Sequence, residues 1–327
     1  MKRNIFLLIG ALLAALLVFY IYKNKGDKST TIDRAESNFK IEHISTIGRI
    51  ILTQKDGTRS DLKRNGDHWT INDAYRARQS NVDHLLNGIR YQHLDHIPNR
   101  AATEHIIPNM AVSGIHVEIF DLEGKELLNY YVGGVTQDER GTFFMKEGSS
   151  QPYCLIQPGF EGGMRARYAL APVDWRDVRF WMEDNDKMDT LKVDYPKKHQ
   201  HSFVAYKKGT GYMVDPMYST TPRLEGDPSN EVKSYLTILS QLACEDYLND
   251  AQEKDSILQM VPWMEIKMVY PDHTSALKFY PAGAAGTSEF SPTVDRYFIH
   301  YEGKDFMIGQ HEVLKGAFRS YGYFFGQ

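Results

Sequence analysis

The stretch RIILTQKDGTRSDLKRNGDHWTINDAYRARQSNVDHLLNGI, residues 49–89, contains the signals from which the domain architecture is predicted. Short apolar segments are separated by turn residues, Lys55-Asp56-Gly57 and Asn65-Gly66, and this pattern predicts three antiparallel strands joined by hairpins. Ser80 is the predicted N-cap of a helix that follows. The i, i+3, i+4, i+7 spacing of the next apolar residues predicts an amphipathic helix with one buried face. Those residues are Val82, Leu85, Leu86 and Ile89.

The same order of signals recurs from Thr190 onward. Predicted strands at 190–193, 201–206 and 212–214 are followed by Ser229 and a second apolar stripe. The stripe consists of Val232, Tyr235, Leu236 and Leu239. The recurrence distance is roughly 145–155 residues, which is far longer than a solenoid repeat and indicates duplication of a whole domain. Each copy is predicted to be an α+β domain of antiparallel β-hairpins with an amphipathic helix on one face.

The predicted organisation therefore has five parts. They are an N-terminal transmembrane anchor at 1–25, a linker at 26–37, a first α+β repeat at 38–172, a connector at 173–187 and a second α+β repeat at 188–327.

The anchor is predicted from residues 5–22, IFLLIGALLAALLVFYIY, an unbroken apolar run. At 1.5 Å per residue, a helix of this length covers roughly 27 Å, close to the thickness of the hydrocarbon core of a bilayer. The alternative is a cleavable signal peptide, which has a shorter apolar region followed by a small-x-small cleavage site. Here the run ends in the bulky Phe19-Tyr20-Ile21-Tyr22, so we expect an uncleaved single-pass anchor.

The sequence gives weaker evidence for the orientation of the anchor than for its presence. Two basic side chains precede the apolar run and three follow it, so the positive-inside count is nearly balanced. A very short N-terminal flank ahead of a large domain favours export of that domain. We therefore expect an inner-membrane protein whose soluble part is periplasmic or otherwise extracytoplasmic. A flexible linker of about a dozen residues would hold that part within roughly 20 Å of the bilayer.

Composition limits the classes of partner. The chain has a formal charge of −4, and residues 1–28 hold five basic side chains and one acidic one, so the remainder carries −8. A net acidic domain lacks the basic surface that binding to nucleic acid requires. Only Cys154 and Cys244 are present, which does not make a disulfide framework, and free buried thiols are favoured over a bridge. The expected partners are the membrane, through residues 5–22, and another protein of the envelope.

Several motifs in the soluble part resemble those of one bacterial family. They are Gly66-Asp67-His68-Trp69, Tyr131-Val132-Gly133-Gly134, Gly141-Thr142 with Phe144-Met145, Pro152-Tyr153, Pro158-Gly159-Phe160, Arg167-Tyr168 and Asp174-Trp175-Arg176-Asp177. As a set, covering most of residues 38–325, they resemble the family known as domain of unknown function 4340. The resemblance implies a membrane-anchored envelope protein, and some members are encoded beside transporter or gliding-motility components. It implies no catalytic residues.

No catalytic motif, metal site or cofactor is predicted. The pairs His93/His96 and His199/His201 each lack the third and fourth ligands that zinc needs, so they read as a polar helix end or hairpin edge. The acidic stretch 183–189 misses two positions of a calcium loop, and the glycines at 209–211 and 281–286 lack a phosphate-loop pattern.

Trp175, Arg176 and Trp181, in the predicted connector, are the candidate binding residues. An aromatic and arginine cluster at a domain junction can be a binding hot spot, although large aromatics there more often fill the core. The predicted function is therefore a non-enzymatic binding or scaffold component of an envelope complex. The alternatives are a ligand-binding accessory subunit of a transporter or gliding-type machinery and, less favoured, an envelope hydrolase.

Overall fold

The computed structural model describes residues 36–182, 184–283 and 294–327. The chain divides into two compact units, Met1–Arg176 and Asp177–Gln327, and this boundary falls inside the predicted connector. The predicted anchor at 5–22 lies outside the described residues, as does most of the predicted linker. Within the described ranges, no helix has both the length and the apolar character required to cross a membrane.

The first unit is built around one antiparallel sheet. Its strands are β1 (Ile47–Thr53), β2 (Arg59–Asn65), β3 (His68–Ile71), β4 (Tyr75–Arg76), β5 (His93–His96), β6 (Ile115–Asp121), β7 (Glu126–Val135), β8 (Thr142–Lys146) and β9 (Tyr153–Ile156). The nine strands described in this unit lie in the order β4-β3-β2-β1-β6-β7-β8-β9-β5. The three predicted strands of residues 49–71 are thus β1, β2 and β3, and Gly66 takes the positive φ of 62° that its tight turn requires.

Two helices accompany this sheet, α1 (Gln79–Tyr91) and α2 (Arg100–Ser113). All four residues of the predicted stripe in α1 are buried in the core of the unit. Ser80 is not the N-cap, because α1 begins one residue earlier and Arg78 occupies the cap position with its backbone N–H bound to the Trp175 carbonyl at 2.7 Å. Helix α2 is not predicted by the sequence pattern; its N-cap Asn99 accepts a hydrogen bond from the Ala102 N–H at 2.8 Å.

The second unit is built in the same way. Its strands are β10 (Thr190–Asp194), β11 (Phe203–Lys208), β12 (Gly211–Pro216), β13 (Asp246–Tyr247), β14 (Met264–Val269), β15 (Thr274–Ala282), β16 (Arg296–Tyr301) and β17 (Asp305–Gln310). The described strands of this unit form a sheet in the order β12-β11-β10-β14-β15-β16-β17-β13. Its helices are α3 (Ser229–Leu239), α4 (Lys254–Leu258) and α5 (His311–Leu314). The predicted stripe of α3 is buried. The strand predicted at 201–206 is β11, which begins two residues later because His199–His201 is a 3₁₀ turn.

Apart from the extra edge strand β4, the two sheets have the same strand order. Each begins with a three-stranded meander, continues through a central pair, β1–β6 or β10–β14, and ends with a short strand, β5 or β13, paired to the last long one. Both sheets are antiparallel throughout their described pairings, with few helices. In each unit one face of the sheet supplies an apolar core. The α+β prediction thus agrees with the structure at the level of two antiparallel sheets accompanied by few helices.

Candidate metal centre

A hollow of 760 Å³ lies in the first unit where β5, β9 and the loop after β7 meet. Three of its residues, Asp95, His96 and Cys154, each place a potential metal ligand atom within 4.8 Å of the other two. Asp138 also lines the hollow. Among the described residues, this is the one group of His, Cys, Asp or Glu side chains with such a spacing. The hollow is therefore a candidate site that only the three-dimensional structure reveals.

An irregularity in strand pairing brings these residues together. β5 pairs with β9 through Leu94 opposite Leu155 and His96 opposite Cys154, and the register shifts between these pairs. In a regular strand, consecutive residues point to opposite faces, so Asp95 and His96 would diverge. A bulge inserts one extra residue and redirects the side chains around it, which explains how both reach the Cys154 thiol.

The two exposed members of the group are already paired. The His96 Nδ1 and an Asp95 carboxylate oxygen are 2.7 Å apart. An ionised carboxylate can only accept, so the Nδ1–H is the donor in this pair. In a neutral ring, a proton on Nδ1 leaves the lone pair of Nε2 available. A carboxylate behind an imidazole is the usual arrangement that orients a histidine toward a metal.

The Cys154 side chain is buried. Burial raises the pKa of the thiol to about 11, and the negative charges of Asp95 and Asp138 add to the shift. Without a cation, the thiol is therefore protonated at neutral pH. A bound divalent metal reverses this preference because the thiolate is the ligand and its proton is released on binding.

Gly141 provides the space that this thiol occupies. A Cβ atom added at Gly141 would overlap the Cys154 Sγ, and it would also lie 2.9 Å from the Thr136 Cγ2. The backbone of Gly141 is held by Thr136, whose hydroxyl accepts the Gly141 N–H at 2.8 Å. The same hydroxyl donates to the Asp138 carboxylate at 2.5 Å, and this bond lowers the pKa of Asp138. The loop is thus fixed against β9 with a carboxylate facing the hollow.

The sequence alone does not reveal this site because its parts are distant in the chain. The pair His93/His96 has no third ligand nearby in the sequence, and Cys154 lies in an apolar strand pattern typical of a buried residue. Only the pairing of β5 with β9 brings Asp95 and His96 close to Cys154, and no local sequence motif predicts that pairing. His93 itself is not a member of the group; its Nδ1 lies 2.6 Å from the backbone carbonyl of Tyr91.

The predicted binding residues lie elsewhere. Trp175 is 0% exposed and belongs to the core of the first unit, whereas Trp181 is 1% exposed and belongs to the core of the second. The Trp181 ring stacks on Tyr301 at 5.6 Å. Arg176 is largely buried, with its guanidinium 3.6 Å from the centre of the Tyr75 ring. Binding through these three residues stays a prediction, but each has a defined packing contact within its own unit.

A second notable surface is the face of the first sheet that points away from its core. We call it the outer face and define it by Arg49, His116, Phe120, Tyr131 and Met145. Register places Arg49 beside Phe120, and Tyr131 between His116 and Met145. The His116 and Tyr131 rings stack at 4.8 Å, and the Arg49 guanidinium lies 5.9 Å from the Phe120 ring. These side chains are half-buried, so the outer face is ordered yet accessible.

Comparison of the chain with protein-family models, with curated proteins and with solved structures finds no match in any of the three. The resemblance to domain of unknown function 4340 therefore stays a prediction, and function has to be argued from the residues themselves.

Proposed function

We propose that this chain is a membrane-anchored, extracytoplasmic binding or scaffold protein of an envelope complex, and not an enzyme. The outer face of the first sheet is the observation that carries the proposal. The apolar run at 5–22 supports the anchor, and the net charge of −8 on the remainder favours a protein partner over nucleic acid.

The outer face has the composition of a protein-binding surface. Aromatic residues, Met and Arg are enriched at the centres of interfaces, and all three types are present here. The side chains are also held in place before any partner binds: Arg49 makes a two-point pair with Asp61 at 2.8 and 2.5 Å, and Lys55 lies 5.1 Å from the Tyr131 ring. Fixed side chains lose little entropy on binding, which favours affinity.

The shared strand order of the two sheets supports the proposal that the units are related by duplication. A protein that contains two copies of one sheet, each with its own core, presents two binding surfaces on one membrane anchor. Scaffold components benefit from that arrangement because two linked binding modules reinforce each other through effective concentration.

Site-specific crosslinking would test the proposed outer-face interaction. We expect a photoactivatable amino acid at Tyr131 or at Met145 of the full-length chain in its native membrane to give a discrete crosslinked species containing a second protein. The same amino acid at His84, an exposed position on α1, is the matched control and should not give that species. Equal products at all three positions, or none at Tyr131 and Met145, would contradict a role for this face.

The proposed location has a separate test. A reporter enzyme that is active only outside the cytoplasm should be active when fused after residue 327, and deletion of residues 5–22 should abolish that activity. A fusion that is active only with a cytoplasmic reporter would reverse the proposed orientation.

The hollow in the first unit favours one alternative, a ligand-binding accessory of a transporter or gliding-type machinery. Its 760 Å³ falls within the size range of small-ligand pockets, roughly 300–1,000 Å³. In this alternative the hollow, and not the outer face, would be the surface that recognises the ligand. The crosslinking experiment separates the two, because a ligand held in the hollow does not require a protein at Tyr131.

A further inference from the structure

We propose that Asp95, His96 and Cys154 form a site for a divalent transition-metal ion of the Zn²⁺ class. This inference does not depend on the proposed scaffold role, since the site and the outer face use different residues. It rests on the identity of the donor atoms, on the backbone features that bring them together, and on the absence of the same donors from the matching strands of the second unit.

The donor set selects the class of metal. Ca²⁺ and Mg²⁺ take oxygen ligands, whereas a thiolate with an imidazole suits Zn²⁺ and its neighbours. Cys154 supplies sulfur, His96 supplies nitrogen, and Asp95 supplies oxygen. Bond lengths of about 2.0–2.3 Å to these atoms would draw the three ligands slightly closer than their present limit of 4.8 Å.

The backbone is arranged around these donors. The register shift in β5 turns two consecutive residues toward β9, and Gly141 leaves the thiol the volume that a methyl group would fill. The Asp95 carboxylate already contacts the His96 ring at Nδ1. In the proposed site, Asp95 ligates the metal through a carboxylate oxygen, beside a His96 ring nitrogen and the Cys154 thiolate.

The matching edge of the second sheet is closed by other side chains. In the second unit, the strand pair β13–β17 occupies the same place in the strand order. The sequences of β13 and β17, Asp-Tyr and Asp-Phe-Met-Ile-Gly-Gln, contain neither histidine nor cysteine. An equivalent edge is therefore closed without a thiol or an imidazole, so their presence in the first unit calls for another reason.

Three protein ligands leave the coordination of the ion incomplete. Structural zinc sites are usually closed by four protein ligands, while sites with three keep a position for water or another ligand. The hollow offers room for that group, and Asp138 is one of its lining residues. Asp95 and His96 have side chains that are 45% and 53% exposed, so the ion can be exchanged with solvent. The site therefore suits reversible metal binding.

Binding of the metal ion releases one proton, which comes from the Cys154 thiol. The divalent ion adds to the His96 nitrogen and the Asp95 carboxylate, the Cys154 S–H bond breaks, and the thiolate electron pair forms the bond to the metal. The proton leaves to solvent or buffer, and no oxidant or reductant is required.

Cobalt titration of the full-length chain in detergent provides the test. The protein should carry an affinity tag without histidine and be stripped with chelator. We expect Co²⁺ to produce a thiolate-to-metal charge-transfer band and intense d–d bands at one equivalent, and Zn²⁺ to abolish them. A large excess of Mg²⁺ or Ca²⁺ should leave them unchanged.

The two cysteines of the chain provide a test variant and its control. Cys154→Ser should remove the charge-transfer band and weaken Zn²⁺ binding at least tenfold, whereas Cys244→Ser, a buried thiol of the second unit, should retain both. His96→Gln should weaken binding at an exposed position where folding is not at risk. Circular dichroism would confirm that each variant is folded.

Two results would overturn the proposal. One is the absence of a thiolate–cobalt band in the folded wild-type protein. The other is a band that persists in Cys154→Ser or disappears equally in Cys244→Ser. If Cys154→Ser fails to fold, His96→Gln decides the question, because unaltered binding by that variant would exclude the site.

Discussion

Replacing Trp175 with alanine should lower the free energy of unfolding of the first unit by about 3–5 kcal/mol. The side chain is 0% exposed and belongs to the apolar core beneath α1. Removal of the indole leaves a cavity, and the surrounding residues lose their packing partner. The segment is also fixed by its backbone, since the Trp175 carbonyl accepts the Arg78 N–H at 2.7 Å, so little relaxation into the cavity is expected.

Two variants serve as controls for this prediction. Val173→Ala, at a residue that is 38% exposed, should change stability by less than about 0.5 kcal/mol. Trp175→Phe should cost far less than alanine, because it keeps an aromatic ring and removes an indole N–H that has no hydrogen-bond partner among the described residues. Chemical unfolding of each full-length variant, with hydrogen exchange of β1 and β6 to report on the first unit, gives the comparison.

The outcome separates packing from recognition for this residue. A core residue loses stability in the alanine variant whether or not a partner is present. A binding hot spot, by contrast, loses partner affinity while stability is unchanged. An alanine variant as stable as the wild type would therefore contradict the observed burial and return Trp175 to the candidate binding residues.

Local elements of the fold are largely encoded in local sequence. Asn65-Gly66 specifies a tight turn, and alternating apolar residues on either side specify strands that bury one face. The sequence also predicts the stripe of α1, because Val82, Leu85, Leu86 and Ile89 follow the i, i+3, i+4, i+7 spacing of a helix face. The observed α1 buries the residues that this pattern indicates.

Helix α2, by contrast, is not indicated by its local sequence. Pro108 lies within α2, where proline normally ends a helix, and apolar periodicity there is weak, with Ile106 and Met110 as its buried residues. Tertiary contacts compensate, because the end of the Met110 side chain packs where Gly133 of β7 leaves room. Such a helix depends on its neighbours in the fold, which a single sequence does not display.

The candidate metal centre was hidden for a different reason. Single-sequence motifs detect ligands that lie within one turn, one hairpin or one helix. Asp95 and Cys154 belong to strands that are separated in the sequence by α2, β6, β7 and β8, and they meet only because β5 adds to the sheet beside β9. The His-Leu-Asp-His stretch at 93–96 is the part of the site that the sequence shows. Recognising Cys154 as the third ligand requires knowledge of the strand order.

Raising the pH from 10 to 12 should destabilise the first unit by about 2 kcal/mol through Tyr168 alone. The side chain is fully buried, and burial raises its pKa to about 12 from an unfolded value of about 10. Between these values the unfolded chain has lost the phenol proton and the folded chain retains it. Stability is therefore complete below pH 10 and falls as pH rises toward 12.

The neighbouring phenol adds a pH dependence of the same sign, although its hydrogen bond to Tyr168 partly offsets the rise in the pKa of Tyr168. The Tyr130 hydroxyl lies 3.4 Å from the Tyr168 hydroxyl, and burial raises the pKa of Tyr130 well above its ordinary value. The Tyr168 hydroxyl in turn donates to the Gln92 side chain at 3.4 Å. Because the site holds two neutral phenols in contact, ionisation of one would place a charge in the core and oppose ionisation of the other.

Urea unfolding of wild type, Tyr168→Phe and Tyr91→Phe at pH 8, 10 and 11.5 would measure the effect. Tyr168→Phe should be less stable than wild type at pH 8 by about 1 kcal/mol, since it loses a buried hydrogen bond. It should then lose less stability than wild type on going to high pH, because its core contains one fewer phenol to ionise. Tyr91 is 43% exposed, so Tyr91→Phe should follow the wild type throughout. Lysine ionisation is common to all three proteins and cancels in the comparison. If Tyr168→Phe loses as much stability as wild type between pH 10 and 11.5, the buried phenol does not control alkaline unfolding, and the Tyr130–Tyr168 contact in the core must be open to water.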